Sequence, residues 1–234
     1  MTAPATAVAP ATKQHRKDPV AEGRTPLQTI LLACGTAASL LYVFMLVVVP
    51  TKWEGYSSAS QTISELSAIG APTRQLWVWL GMVYTLLVAA FGLGIWSSAR
   101  GNRPLRAVGA LQVITGVIGL FWPPMHLRGT ETALTDTLHI VWMAASGLLT
   151  LIAMGLAAAA LGKRFRIYSV ASIVVLLATG ALTSVDAPNV AANLPTPWIG
   201  VWERVSAGAW MLWLAVLAVA LIRRRQFAAQ GRFP

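Results

Sequence analysis

The sequence predicts an all-α membrane protein, a bundle of six transmembrane helices with both termini on the cytoplasmic side. Three observations lead there. Six apolar runs have roughly the 20-residue length a helix needs to cross a hydrocarbon core of about 30 Å. Only 11% of residues are charged, and the runs are apolar on every face, whereas a soluble fold of this size would show amphipathic helices or alternating strands. Lys and Arg collect in alternate connections.

In order, the predicted spans are 27–49, 76–96, 105–122, 138–161, 167–185 and 197–222. Residues 1–26 are rich in Ala, Pro and Thr, then basic, without apolar periodicity, and read as a disordered cytoplasmic tail. The first run is too long for a signal-peptide core and lacks a small-residue cleavage site after it, so it stays as an anchor. Its Cys34 is the single cysteine, which excludes an intramolecular disulfide and a cysteine-cluster metal site. No repeat or composition break divides 27–222, which reads as one membrane domain followed by a basic tail, 223–234. Small residues such as Gly92, Gly94, Gly109, Gly116 and Gly119 are placed to let helices pack closely.

Orientation follows from the positive charges, because basic loops resist translocation. Fourteen of the 18 Lys and Arg lie on one side: Lys13, Arg16, Lys17 and Arg24; Arg100, Arg103 and Arg106; Lys163, Arg164 and Arg166; Arg223, Arg224, Arg225 and Arg232. Lys52, Arg74, Arg128 and Arg204 lie on the other, with Glu54, Glu65, Glu131, Asp136, Asp186 and Glu203. The net charge of +10 is therefore cytoplasmic and suits anionic lipid headgroups in the cell membrane. Nucleic acid is a poor partner, since no basic stripe on a soluble domain exists to follow phosphates.

The outer connections carry the candidate chemistry. In 51–75, Ser58 and Gln61 have capping-box spacing, Ile63, Leu66 and Ile69 recur every third residue, and Gly70 with Pro72 supplies a stop. This predicts a short amphipathic helix at the interface, with Ser58, Thr62 and Glu65 on its polar side. After Trp122-Pro123-Pro124 come His126 and Arg128, then Asp136 and His139, whose spacing puts both on one helix face. Asp136 also suits a first-turn acid opposite the helix dipole. Glu203 and Arg204 stand about 9 Å into the sixth span at about 1.5 Å per residue. An adjacent acid and base at that depth are expected as a buried pair facing the interior; the alternative is an Arg snorkelling to headgroups with Glu203 bonded to a neighbour. Trp53, Trp77, Trp79, Trp122, Trp198 and Trp202 crowd the same boundary, as would the walls of an outward cup capped by the first loop.

Gly55-Tyr56-Ser57, Thr62-Ile63-Ser64-Glu65-Leu66, Gly70-Ala71-Pro72, His126, Arg128-Gly129, Asp136-Thr137-Leu138-His139 and Glu203-Arg204 together resemble a prokaryotic membrane family, domain of unknown function 998. The likeness runs from about Leu31 to Arg223. It implies a multi-span membrane domain without an established activity.

Three functions compete. The first is binding of a lipid or small amphiphile in an outward pocket, with Arg128 and Arg204 as anion partners and Ser64 and Glu65 on the covering loop. The second is a metal-dependent hydrolase of lipid ester or amide bonds, in which His126, Asp136 and His139 hold a divalent metal such as zinc and Glu203 serves as base or fourth ligand. The third is a structural or assembly protein whose polar cluster specifies helix packing. Pumping is disfavoured by the lack of inverted repeats or broken helices, and nucleotide binding by the lack of a glycine-rich phosphate loop.

Overall fold

A computed structural model describes residues 25–131 and 133–229, the last five by backbone alone. The tail expected over 1–26 falls almost wholly outside that range. The described residues form six α-helices and no strand: α1 Pro26–Val48, α2 Arg74–Ser98, α3 Arg103–Gly119, α4 Leu134–Ala160, α5 Lys163–Ala191 and α6 Ile199–Ala229. All except α3 are long and apolar enough to cross a membrane, while α3 has 17 residues. Bare apolar side chains such as Leu40, Phe44, Leu86, Leu148 and Val174 cover their flanks. Such a surface is an aggregation liability in water and the ordinary lipid-facing coat of a membrane protein.

Local sequence explains where the helices begin. The Thr25 and Asn102 side chains accept from Gln28 N and Leu105 N, ahead of Pro26 and Pro104 in the first turns of α1 and α3. Two helices outrun the expectation. α5 passes Pro188, which sits in its last turn where one lost backbone bond is tolerated. α6 continues through Arg223 to Ala229, so the first part of the expected basic tail is helical.

Around the bundle the helices neighbour one another in the order α3, α2, α1, α6, α5 and α4, and α4 returns to α3. The core between them is built on Leu32, Phe91, Met154, Trp213 and Leu217. α2 and α3 approach most closely where glycines face each other: a Cβ on Gly92 would lie 2.6 Å from Val113 N, and one on Gly109 2.6 Å from Trp96 N. Small-residue packing of this kind replaces the hydrophobic drive that lipid removes. Ser39 ties α1 to α6 by donating to the Met211 carbonyl at 2.8 Å.

At one end of the bundle, here the loop end, three connections meet: 49–73, 120–133 and 192–198. The first two touch through Ile69 N, which donates to Met125 O at 2.8 Å, and the third through the Thr196 hydroxyl, which donates to Ser60 O at 2.8 Å. Among the described residues, the opposite end has only the short turns at 99–102 and 161–162.

Because no neighbour can yield where two backbones touch, Gly109→Leu is expected to destabilise the bundle by about 1–3 kcal/mol. Gly155→Ala, whose added Cβ meets nothing within 4 Å, should leave stability unchanged or raised by up to about 1 kcal/mol. Equilibrium unfolding in mixed detergent micelles checks both.

Candidate functional site

The first long connection does not form the expected amphipathic helix. Only Ser64–Ser67 makes a four-residue 3-10 turn, after another at Pro50–Lys52. Of its expected polar side only Ser58 is exposed, while Thr62 and Glu65 are buried. Gln61 does reach back, but to Ser57 N at 2.8 Å rather than to a Ser58 cap.

The cause is visible in where the backbone of 59–63 finds its partners. Ala59 O accepts from Gly200 N at 2.9 Å and Val201 N at 3.3 Å, so the loop caps α6. Ser60 O accepts from the Thr196 hydroxyl at 2.8 Å and from Arg128 Nη2 at 3.3 Å. Gln61 O takes Arg204 Nη1 at 3.2 Å, and Thr62 O takes the Tyr56 hydroxyl at 2.7 Å. Ile63 N donates to Glu203 Oε2. A helix would need these groups for itself, and distant side chains have claimed them. Gly200 permits the approach, since a Cβ there would run into the Gln61 and Ser58 carbonyls.

Glu203 and Arg204 therefore do not form the expected buried pair. Each turns to the loop: Glu203 to Ile63 N, and Arg204 to the Gln61 and Gly200 carbonyls and the Tyr56 hydroxyl at 2.8 Å. Burial pushes the Tyr56 phenol up to about 12, opposed by its bond to Arg204. The phenol thus stays protonated and keeps donating to Thr62 O.

The buried ion pair is a different one. Glu65 is fully buried, and its carboxylate accepts from Arg128 Nε at 2.7 Å and Nη2 at 2.9 Å in a bidentate fork. Thr62 N at 2.7 Å and the Thr62 hydroxyl at 3.0 Å add to it. Arg128 Nη1 donates to Thr196 Oγ1 at 3.1 Å. Spacing alone could not pair Glu65 with Arg128, because they come from separate connections.

His126, Asp136 and His139 are brought near one another without converging as ligands. Asp136 accepts from Ala133 N at 2.8 Å, closing the first turn of α4, and from His126 N at 2.6 Å. Its Oδ2 lies 2.9 Å from His126 Nδ1. His139 turns away, with Nδ1 2.8 Å from the Pro123 carbonyl and 2.9 Å from Trp122 Nε1, and Nε2 3.1 Å from Ser64 Oγ. Among the described residues, no three His, Cys, Asp or Glu side chains are grouped to hold a metal ion. The proposed zinc set is thus not assembled, because Asp136 is spent on backbone and His126.

Residues 36–220 match the family described as protein of unknown function, DUF998. The chain belongs to that family. With its long apolar helices, this makes it an integral membrane protein of a family whose function is unknown. No curated protein and no solved structure matches it.

The indoles at the loop end of the DUF998 chain divide between its interior and its surface. Trp53, Trp77 and Trp122 pack with Tyr56, Ile63 and Leu66 in one apolar cluster beneath the loop, while Trp79 and Trp198 stand on the outer surface. Ile63 and Leu66 of the loop are buried in that cluster with Met45, Val49 and Trp77.

Removing one partner of a buried bidentate pair strands the other charge. Arg128→Ala is expected to lose about 3–5 kcal/mol, and Arg128→Lys to recover less than half, since an ammonium cannot match the fork. Joint replacement of Glu65 and Arg128 by Leu should restore most of the loss. Denaturant titration in detergent distinguishes the three.

Proposed function

We propose that this DUF998 protein crosses the cell membrane six times, with both termini cytoplasmic, and binds the acyl part of a lipid or small amphiphile from the side, between α4 and α5. The sixth crossing is α3. Its 17 residues span about 25 Å at about 1.5 Å per residue, within the slack a bilayer allows by local thinning. The orientation rests on Arg100, Arg103, Arg106, Lys163, Arg164, Arg166, Arg223 and Arg224 at the end opposite the loops.

The observation that carries the ligand reading is a change along one face of α4. Met154 and Ala158 are buried there, at 0% and 6% exposure. Helical periodicity puts Met143 over Met154, and Ile140 and Gly147 over Ala158. Toward the loop end the same face is bare, with Met143 47% and Ile140 66% exposed, and a Cβ on Gly147 would meet nothing within 4 Å. The neighbours of α4 are α3 and α5. Trp142, donating to Ile118 O at 3.3 Å, holds α3 in place. On α5, the other neighbour of α4, Leu177, Leu182 and Val185 are also exposed. An α4 face packed near its inner end and bare near the loop end, beside bare side chains of α5, would give an apolar wedge open to lipid. With Ile63 and Leu66 of the first connection packed among residues of α1 and α2, entry is lateral, which selects a molecule already dissolved in the bilayer.

Lipid retained through purification, measured by native mass spectrometry, tests the reading. Gly147→Leu fills the wedge and should lower retention about tenfold, a change of about 1.4 kcal/mol. Gly81→Leu, made where added atoms also meet open space, should retain lipid as the parent does. Equal retention in both variants would count against the wedge. Reporter fusions at each terminus should both score as cytoplasmic.

A further inference from the structure

Ser64 and His139 stand 75 positions apart in sequence, yet their side chains meet at 3.1 Å. Among the described residues the Ser64 hydroxyl has no other hydrogen-bond partner, unlike the neighbouring Thr62 and Ser67, which bond Glu65 and the Ser64 carbonyl. We propose that Ser64 and His139 form a nucleophile and general-base pair that cleaves carboxylic esters of apolar acyl chains at the loop end.

The arrangement has the parts such chemistry needs: a hydroxyl within hydrogen-bond reach of an imidazole whose other nitrogen is held by a third group. That third group is the Pro123 carbonyl, 2.8 Å from Nδ1. A carbonyl only accepts, so this contact places a proton on Nδ1 and leaves the Nε2 lone pair toward Ser64 Oγ. Trp122 Nε1, 2.9 Å from the same Nδ1, only donates and favours the other tautomer. The Ser64 bond survives in both, and the Nδ1–H form is the base. His139 is buried and Ser64 half-buried, so the base is shielded from water while the nucleophile lies nearer the surface. The Trp122 ring, 5.6 Å from His139 and 6.5 Å from the Trp142 ring, makes the surroundings apolar. An acyl chain suits them better than a charged substrate.

In the acylation step Ser64 Oγ attacks the ester carbonyl carbon as His139 Nε2 takes its proton. The bond from that carbon to the alcohol oxygen breaks, and the imidazolium returns the proton to the departing alcohol. Water then attacks the acyl-Ser64 ester, giving its proton to Nε2, and the fatty acid leaves as Ser64 regains its hydrogen. No electron is gained or lost.

This inference is independent of the lateral wedge. Its test uses the full chain in micelles, with a long-alkyl fluorophosphonate as covalent probe and a p-nitrophenyl decanoate assay alongside. The parent protein should be labelled on the peptide containing Ser64, and Ser64→Ala should abolish labelling while unfolding at the parent's temperature. His139→Ala should lower both labelling rate and ester cleavage about 100-fold or more, and Ser58→Ala should match the parent. A folded parent that takes no label, or a Ser64→Ala variant labelled as fast as the parent, would overturn the proposal. Lipid retention lost with labelling intact would instead remove only the wedge.

Discussion

Every backbone N–H and C=O placed near lipid must find a partner within the protein, because an unsatisfied group there costs several kcal/mol. Helices meet that demand internally. The segment around residues 59–63 does not, and it lies against α6 as irregular chain. Its four successive carbonyls and one amide are met by Gly200, Thr196, Arg128, Arg204, Tyr56 and Glu203. The polar residues of the loop end take their positions from that requirement. The Glu65–Arg128 fork fixes the far side of the same segment, and its value lies in register more than in net stability, since burying two charges offsets most of what their attraction returns.

That constraint also accounts for the absence of regular structure where the sequence suggested it. A capping pattern and a three-residue apolar spacing are local signals, and they compete with tertiary partners that local reasoning does not see. Ile63 and Leu66 are buried as their apolar character requires. Thr62 and Glu65 are buried too, because a carboxylate with an Arg fork and a backbone amide is better served inside than at the surface.

The helices were legible because membrane crossing demands a length and a composition that a sequence displays openly. Each of the six expected spans corresponds to a helix, with ends displaced by a few residues at Pro188 and beyond Ile222. The candidate residues were legible as a set, since ionisable groups beside apolar runs are conspicuous, but their pairing was not. Glu203 and Arg204 are neighbours in sequence, and consecutive residues on a helix point about 100° apart, which sends them to different parts of the loop. Ser64 and His139 carry no spacing signal at all. Only the docking of the first connection against α4 brings them together.

A rigidly satisfied plug and a reactive pair are compatible demands. Catalytic groups need supports that do not move, and the Ser64–Ser67 turn is held by Arg128 through Glu65, by Glu203 through Ile63, and by Thr73 and Arg74 through the Leu66 and Ser67 carbonyls at 2.7 and 2.6 Å. His139 is held in turn by α4 and by Pro123. The Glu65 carboxylate is committed to Thr62 and to the half-buried Arg128 guanidinium, and Glu203 Oε2 to Ile63 N, so both carboxylates serve to hold the plug. The side-chain pair at the loop end with no such structural commitment on its hydroxyl is the one formed by Ser64, and that separates scaffold from candidate chemistry among residues that look alike in the sequence.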